Sequence, residues 1–424
     1  MRYFDSDYFN YRNNELFCED VALDKIASEI DTPVYIYSKK FFCDRFNEFQ
    51  DAFKSINHKI FFASKANFNI NVLKIFSDLG AGIDVNSAGE LYRAFKAGVN
   101  PKNILLTGVG KTADEIVLGI EKNVLLIKAE SLQEIYKINS IAKTMGKVVN
   151  IAIRVNPDVD AKTHPYISTG LSENKFGIES SSAREIFKEA NALPNINVTG
   201  IDMHIGSQIT SLEPFVEATI KLTELTKKII DDGIEIQHFD VGGGIGVIYN
   251  NEKPFTPKQF AEALIPILMT LNCDVYFEPG RYLTANGGVL LTRVLYTKNN
   301  TNKNFIVVDT AMTDLLRPSI YKAYHHIQPV FIKSKNTIFA DIVGPVCESG
   351  DFLAKEREID IVEQDDLLAI MSSGAYGMVM ASNYNARRRP AEVIVDGDKF
   401  FVSRSRESFE HLLFDEKIID ELHK

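Results

Sequence analysis

Between residues 58 and 280, eight strand-like runs alternate with helix-spaced segments, and that rhythm leaves few folds open to the chain. The runs are His58–Lys65, Gly82–Val85, Ile104–Gly108, Leu125–Glu130, Val149–Asn156, Val198–Gly206, Ile236–Gly244 and Val275–Gly280. Between them stand stretches whose apolar residues recur at helical spacing: Ile70–Leu79, Glu90–Ala97, Leu132–Met145, Ala183–Ala192, Phe215–Ile230 and Pro257–Leu271. Strand–helix repetition of this kind packs as a parallel sheet covered by helices. It either closes into a (β/α)8 TIM-like barrel or stays open and doubly wound, and the count of eight favours the barrel.

Beyond Arg281 the rhythm changes to strand-rich sequence without long helices: Val289–Thr297, Asn304–Asp309, Val330–Ile332, Thr337–Val343, Leu367–Met371, Glu392–Val395 and Lys399–Val402. The expected organisation is an α/β barrel over residues 39–281 and a mainly β C-terminal domain over 282–424. Residues 1–38 carry a short amphipathic stretch near Val21 to Ile30 and a strand candidate, Pro33–Tyr37, expected to join the β domain and make it discontinuous.

Charge narrows the function classes. With 57 acidic against 47 basic residues, the net charge of -10 argues against nucleic acid or an anionic membrane as partner. The Arg387-Arg388-Arg389 cluster is too local to reverse that. No apolar run approaches the roughly 18 residues of a membrane span, and the N-terminus lacks the basic-then-apolar plan of a secretion signal, so a cytoplasmic location is expected. Cys18, Cys43, Cys273 and Cys347 show no CxxC spacing and no neighbouring histidine, and the adjacent pair His325-His326 is wrongly spaced for one helix face. They read as reduced thiols, and no metal is implied.

In a barrel the chemistry lies where the strands end. Read in order, the tips are Lys65, Asp84 with Ser87, Gly108, Glu130, Arg154 with Asn156, His204 with Ser207, Gly242-Gly243-Gly244, and Glu278-Pro279-Gly280-Arg281. One strand-end lysine is ordinarily a solvated loop residue, one glycine a turn, and one glutamate an ion-pair partner. Their joint occurrence asks for chemistry. A partly desolvated amine loses its proton more readily, which makes Lys65 a candidate Schiff-base residue. Gly242-Gly243-Gly244-Ile245-Gly246 follows a strand, so its backbone N–H groups suit a phosphate. Val247 stands where the last glycine of a dinucleotide fingerprint belongs, and no Walker lysine is present. A single phosphate, held by this loop with Ser207 and the Gly280-Arg281 turn, fits better.

A cofactor with one phosphate and an aldehyde for Lys65 is pyridoxal 5'-phosphate. A carboxylate such as Glu278 would keep its ring nitrogen protonated, and His204 would lie against its face. The cofactor-binding candidates are thus Lys65, Asp84, His204, Ser207, Gly243, Gly244, Glu278, Gly280 and Arg281.

Seven motifs in collinear order now carry a resemblance. Ala63-x-Lys65-Ala66-Asn67, His204-Ile-Gly-Ser207-Gln208, Asp240-Val-Gly-Gly-Gly244, Glu278-Pro-Gly-Arg281, Arg317-Pro-x-x-Tyr321, Gly344-Pro-Val-Cys347-Glu348-Ser and Gly374-Ala-Tyr376-Gly resemble the diaminopimelate decarboxylase family. That family belongs to the fold-type III enzymes using pyridoxal phosphate, with an alanine racemase-like architecture. The likeness runs from about residue 30 to 405 and includes Tyr384-Asn385-x-Arg-x-Arg389-Pro390-Ala391-Glu392. It implies that Lys65 attaches the cofactor, that His204 stacks on it and that Glu278 pairs with the pyridine nitrogen. Ser207, Gly243, Gly244, Gly280 and Tyr376 are implied phosphate contacts. Arg281, Arg317, Tyr321, Glu348 and Tyr376 are implied substrate contacts, and Cys347 the acid that returns a proton after carbon dioxide leaves.

The resemblance also implies a homodimer with shared active sites, because the Cys347-Glu348 loop serves the partner subunit in that family. The activity implied is conversion of meso-2,6-diaminopimelate to L-lysine. Arg281 and Arg317 suit the far carboxylate of that substrate by forked hydrogen bonding, and Glu348 suits the far amine. Phe62, Asn86, Ala88 and the Asp309-Thr-Ala-Met-Thr-Asp314 segment depart from the usual pattern, and none of these changes removes a reacting group. A paralogue acting on a carboxylated polyamine precursor, a racemase and a non-catalytic binder of the cofactor are the alternatives. A substrate clamp is superfluous in the last of these.

Overall fold

Eight parallel strands close on themselves in the computed structural model, which describes residues 3–161, 175–334 and 336–423. They are β1 (His58–Ala63), β2 (Gly82–Val85), β3 (Ile104–Leu106), β4 (Leu126–Ala129), β5 (Val149–Asn156), β6 (Ile196–Asp202), β7 (His238–Asp240) and β8 (Asp274–Phe277). Each pairs with the next, and β8 pairs with β1 through Val275 to His58 and Phe277 to Ile60. That last pairing removes the sheet edge and decides for the closed barrel over an open, doubly wound sheet. Helices occupy the connections, several started by a side chain that caps the free N–H groups of the first turn. Ser87 accepts from Glu90, Ser131 from Glu134, and Thr112 and Thr256 form reciprocal capping boxes with Glu115 and Gln259.

Side chains two apart on a strand share a face, so the barrel interior is built in layers. Phe61, Leu105, Leu126, Ala152 and Tyr276 form an apolar cluster. His238 stacks on Tyr276 with centroids 4.8 Å apart, and Gly200 leaves room for that imidazole, since a Cβ there would lie 2.2 Å from it. Two residues further along their strands come Asp84, Lys128, Asp202, Asp240 and Glu278, all buried. The interior thus changes from apolar to ionic within one layer.

The chain divides into two units, residues 41–284 and residues 1–40 with 285–424. In the second unit, Val34–Ser38 lies inside a mixed sheet, antiparallel to Gly288–Asn300 and parallel to Ala391–Asp396. The sheet continues through Lys303–Val308, Thr337–Val343 and Phe352–Asp360 on one side and Lys399–Arg404 on the other. Leu367–Ile370 pairs with both Gly288–Asn300 and Ile327–Pro329. A small antiparallel sheet of Phe9–Arg12, Glu15–Cys18 and Val21–Ala22 precedes the helix Leu23–Ile30. Among the described residues, no helix is long and apolar enough to cross a membrane.

Candidate active site

The strand ending at Ala63 passes into a single 3-10 turn, Ser64–Ala66, that carries Lys65. The Ser64 hydroxyl holds that turn, its one proton shared between the Asp84 carbonyl at 2.8 Å and the Glu90 carboxylate at 2.7 Å. Glu90 also accepts the Asn86 N–H at 2.7 Å, which fixes the loop after β2 to the same carboxylate. On the other side, the Ala63 N–H reaches the Pro279 carbonyl at 3.3 Å. Lys65 is therefore placed by its neighbours on β2 and β8.

The glycine loop after β7 is clamped from both flanks. The Glu278 N–H donates to the Gly242 carbonyl at 2.8 Å, and the Ile209 N–H donates to the Gly244 carbonyl at 2.9 Å. No side chain fits here: a Cβ on Gly243 would lie 2.1 Å from the Glu278 carbonyl oxygen, and one on Gly244, at φ +112°, 2.3 Å from that of Gly206. The Gly243 N–H points at Nδ1 of His204, 3.2 Å away. Although part of His204 remains exposed, enclosure of the ring holds it well below its ordinary pKa, and Lys65, Arg154 and Lys128 push the same way. Arg281, at the start of the turn Arg281–Thr284, donates to Tyr249 at 2.8 Å and to Ser207 at 3.0 Å. The loops after β6 and β8 are joined there by one guanidinium.

Beneath these loops lies a residue that the sequence reading did not single out. Lys128, 1% exposed, donates to Asp202 at 2.6 Å, to Asp240 at 2.6 Å and to Glu278. Burial alone would push this ammonium down, but its carboxylates outweigh that and hold it well above its ordinary value. The carboxylates pay for their crowding: burial, then repulsion from Asp202, raises Asp240 to about 6 against the pull of Lys128. Glu278 is raised well above the usual carboxylate range by burial and by Asp240 and Asp84, again against Lys128. One layer below, burial and then Lys128 push His238 down to about 4. Ligand atoms of Asp202, Asp240 and Glu278 lie within 4.8 Å of one another, as a metal site would need, and the ammonium of Lys128 is bonded to all three residues. The available signal was a lysine inside an otherwise apolar strand, two residues past Leu126 and hence on its inward face.

These features fit pyridoxal phosphate. The glycine loop offers backbone where a Cβ would be in the way, a lysine stands on the neighbouring turn, and Glu278 belongs to a cluster with surplus negative charge that favours a cationic partner. Asp84 Oδ1 accepts from Thr107, while its buried Oδ2 has no hydrogen-bond partner among the described residues.

The barrel unit thus gathers Lys65, Asp84, His204, Ser207, Gly243, Gly244, Glu278, Gly280 and Arg281 at the ends of its strands. Arg317, Tyr321, Cys347, Glu348 and Tyr376 belong to the other unit. There, Arg317 begins the helix Arg317–Tyr321 and is buried. Its guanidinium meets Nε2 of His325 at 2.7 Å, and Nδ1 of that ring meets the Met371 carbonyl at 2.9 Å. The carbonyl accepts the Nδ1 proton, which leaves Nε2 as acceptor for Arg317. Asp351 shapes the loop that carries Cys347 and Glu348, accepting from Met312 at 2.6 Å and from Val346 at 2.7 Å. Ser319 ties that loop to the Arg317 helix through the Gly350 carbonyl at 2.7 Å. Cys347 and Glu348 are exposed, with the Cys347 N–H bonded to Asn385 at 2.9 Å. Tyr376 adopts φ +54°, an uncommon conformation for a tyrosine.

Residues 40–285 match the family model of the pyridoxal-dependent decarboxylases, in its pyridoxal binding domain. The chain is 45% identical to the diaminopimelate decarboxylase of Haemophilus influenzae over 409 residues, which cover 96% of this chain and 98% of that one. It superposes on the structure of Helicobacter pylori diaminopimelate decarboxylase complexed with L-lysine with a TM-score of 0.89 and 41% identity, over 92% and 98% of the two chains. For the M. jannaschii enzyme in co-complex with L-lysine, the TM-score is 0.93 at 36% identity, over 98% and 99%.

Proposed function

The chain belongs to the diaminopimelate decarboxylase family of pyridoxal-dependent decarboxylases, and on that premise we propose how its residues divide the work of turning meso-2,6-diaminopimelate into L-lysine and carbon dioxide. The observation that carries the reading is the convergence of Lys65, His204, the glycine loop and Glu278 at the ends of barrel strands. When bound, the cofactor supplies an electron-poor ring that takes up the electron pair left behind by departing carbon dioxide.

Lys65 would hold the cofactor through its Nζ. His204, neutral and oriented by Gly243, packs against the ring face. Glu278 holds the proton on the ring nitrogen. Ser207, Gly243, Gly244, Gly280 and Tyr376 bind the phosphate, and Asp84 lines the cofactor site. At the far end of the substrate, Arg281, Arg317 and Tyr321 take the carboxylate and Glu348 the amine. A guanidinium matches a carboxylate in two parallel bonds, which distinguishes this substrate from a plain diamine precursor. Cys347 delivers a proton to the carbon that has lost carbon dioxide.

The exposure of Cys347 and Glu348 on a loop held by Asp351 supports a homodimer in which that loop completes the partner's site. Cytoplasmic residence belongs to the same proposal, supported by four cysteines present as free thiols. Carbon dioxide release measured across meso-diaminopimelate, lysine, ornithine and carboxylated polyamine precursors tests the reading. Release from meso-diaminopimelate with L-lysine as product is expected. Faster release from another of these substrates would overturn the substrate assignment.

A further inference from the structure

Lys128 is a second lysine of the barrel, placed where no reacting group of the substrate need come. Its ammonium has three protons, and three carboxylates accept from it: Asp202 at the end of β6, Asp240 at the end of β7 and Glu278 just past β8. One side chain therefore joins β4 to three other strand ends. The link extends into the loops, because the other oxygen of Asp240 accepts the Gly242 N–H at 2.8 Å, and the Gly242 carbonyl accepts from the Glu278 N–H at 2.8 Å. Glu278 is held twice, by its carboxylate on Lys128 and by its backbone on the glycine loop.

We propose that Lys128 is a positioning residue that keeps Glu278 an oriented, ionised acceptor for the proton on the cofactor's ring nitrogen. This rests on the reading that Glu278 faces that nitrogen, a contact assigned here to Oε2 because Lys128 engages Oε1. Three carboxylates with ligand atoms inside 4.8 Å repel one another's charge. Taken alone they would share protons, and a protonated Glu278 becomes a donor facing a nitrogen that must itself carry a proton. The ammonium sits against the carboxylate rather than against the ring, so it stabilises the pair of carboxylate and protonated nitrogen over the pair of carboxylic acid and neutral nitrogen. Burial, Asp240, Asp84 and Asp202 push Glu278 toward its protonated form, and Lys128 is the neighbour that opposes them. A buried lysine serving only to fasten the strands would have no bearing on which partner holds that proton.

The test compares two cofactors on the apoprotein: pyridoxal 5'-phosphate and its 1-deaza analogue, in which C–H replaces the ring nitrogen. The ratio of their dissociation constants reads the bond to the nitrogen and cancels general damage to the site. Wild type is expected to prefer pyridoxal phosphate by on the order of tenfold to a hundredfold, the worth of a hydrogen bond to a charged group. In Lys128→Met the preference should shrink to about threefold or less, and a ring-15N-labelled cofactor should lose its protonated resonance. Asp202→Asn leaves the ammonium shared by fewer carboxylates, so its preference should match or exceed that of wild type, which keeps the test open if Lys128→Met does not fold. An undiminished preference in Lys128→Met, or a collapsed one in Asp202→Asn, would overturn the assignment. Absence of any preference in wild type would instead remove Glu278 from the ring nitrogen, and the proposal with it.

Discussion

The backbone N–H of Gly243 lies 3.2 Å from Nδ1 of His204, and this contact decides the state of the imidazole. Nδ1 must accept, so the single proton of the neutral ring sits on Nε2. Enclosure and the cations Lys65, Arg154 and Lys128 oppose a second proton. The 15N resonances of His204 are expected to report the neutral Nε2–H tautomer throughout about pH 5 to 8, where an ordinary histidine titrates. An imidazolium signal in that window would contradict the contact.

Gly243→Ala should injure the site through the backbone. The added Cβ would lie 2.1 Å from the carbonyl oxygen of Glu278, and neither the glycine loop nor the turn after β8 can yield without moving the other. A stability loss of about 1–3 kcal/mol is expected, typical of overpacking. Cofactor affinity should fall with it. Denaturant melts and reconstitution of the apoprotein measure the two effects separately.

Lys65→Ala should abolish the covalent adduct that borohydride traps in wild type, seen as a missing mass increment, and lower turnover by at least about a thousandfold. Mixing Lys65→Ala with Cys347→Ala subunits examines the shared-site dimer. Each mixed dimer would own one site with both residues intact, so random reassortment should restore roughly a quarter of wild-type activity. No recovery after verified subunit exchange would refute sharing.

Glu348→Ala should raise KM for meso-diaminopimelate by roughly tenfold to a hundredfold, the worth of one bond to a charged amine. Cofactor affinity should stay unchanged, because the residue is assigned to the far end of the substrate. Steady-state kinetics beside a cofactor titration separates these, and an unaltered KM would take Glu348 out of the site.

Glu407 provides a pH-dependent share of stability. Its carboxylate accepts from the Arg389 side chain at 2.6 Å, the Arg389 N–H at 2.8 Å and Asn383 at 2.7 Å. Partial burial opposes ionisation, yet these bonds hold Glu407 down to about 2, from 4.5 when unfolded. A depressed folded pKa means the unfolded chain takes up the proton first as pH falls. The contribution is therefore complete above the unfolded value and is lost as pH drops through the folded one. Glu407→Gln should cost about 1–3 kcal/mol at neutral pH. Its gap from wild type in urea melts should narrow as pH falls below about 4.5. A gap independent of pH would show that packing, not charge, is responsible.

The barrel was legible because eight apolar runs of similar length carry its strands, and their reactive ends could be read as tips. Lys65, His204 and Glu278 each stand just past a strand, where a polar residue interrupts an apolar pattern. Lys128 was not legible by that rule, since it lies within a strand and its partners are 74, 112 and 150 residues away in sequence. Only closure of the barrel makes them neighbours. In the β unit, the expected strand Val330–Ile332 is displaced: the ladder runs through Ile327–Pro329, while Phe331 makes an isolated bridge to Glu15. Phe352–Asp360 escaped notice because Lys355, Glu356, Arg357 and Glu358 interrupt its alternation, as suits a strand at the end of its sheet. The helix Lys39–Ala52, buried through Phe41, Phe42, Phe46 and Phe49, was hidden by aromatic residues that favour strands in isolation.

The strand Val34–Ser38 leaves the ribosome before either strand it pairs with has been translated. The full sequence of the barrel unit, 41–284, follows, and only then comes the antiparallel neighbour Gly288–Asn300. Its other edge waits for Ala391–Asp396, which is translated later still. A nascent chain halted before residue 391 has everything its barrel requires, yet carries an apolar strand with an open edge, the arrangement most apt to recruit another chain. Ala391–Asp396 therefore acts as a seal on Val34–Ser38, and products terminated between the barrel unit and residue 391 should aggregate even though their barrel sequence is whole.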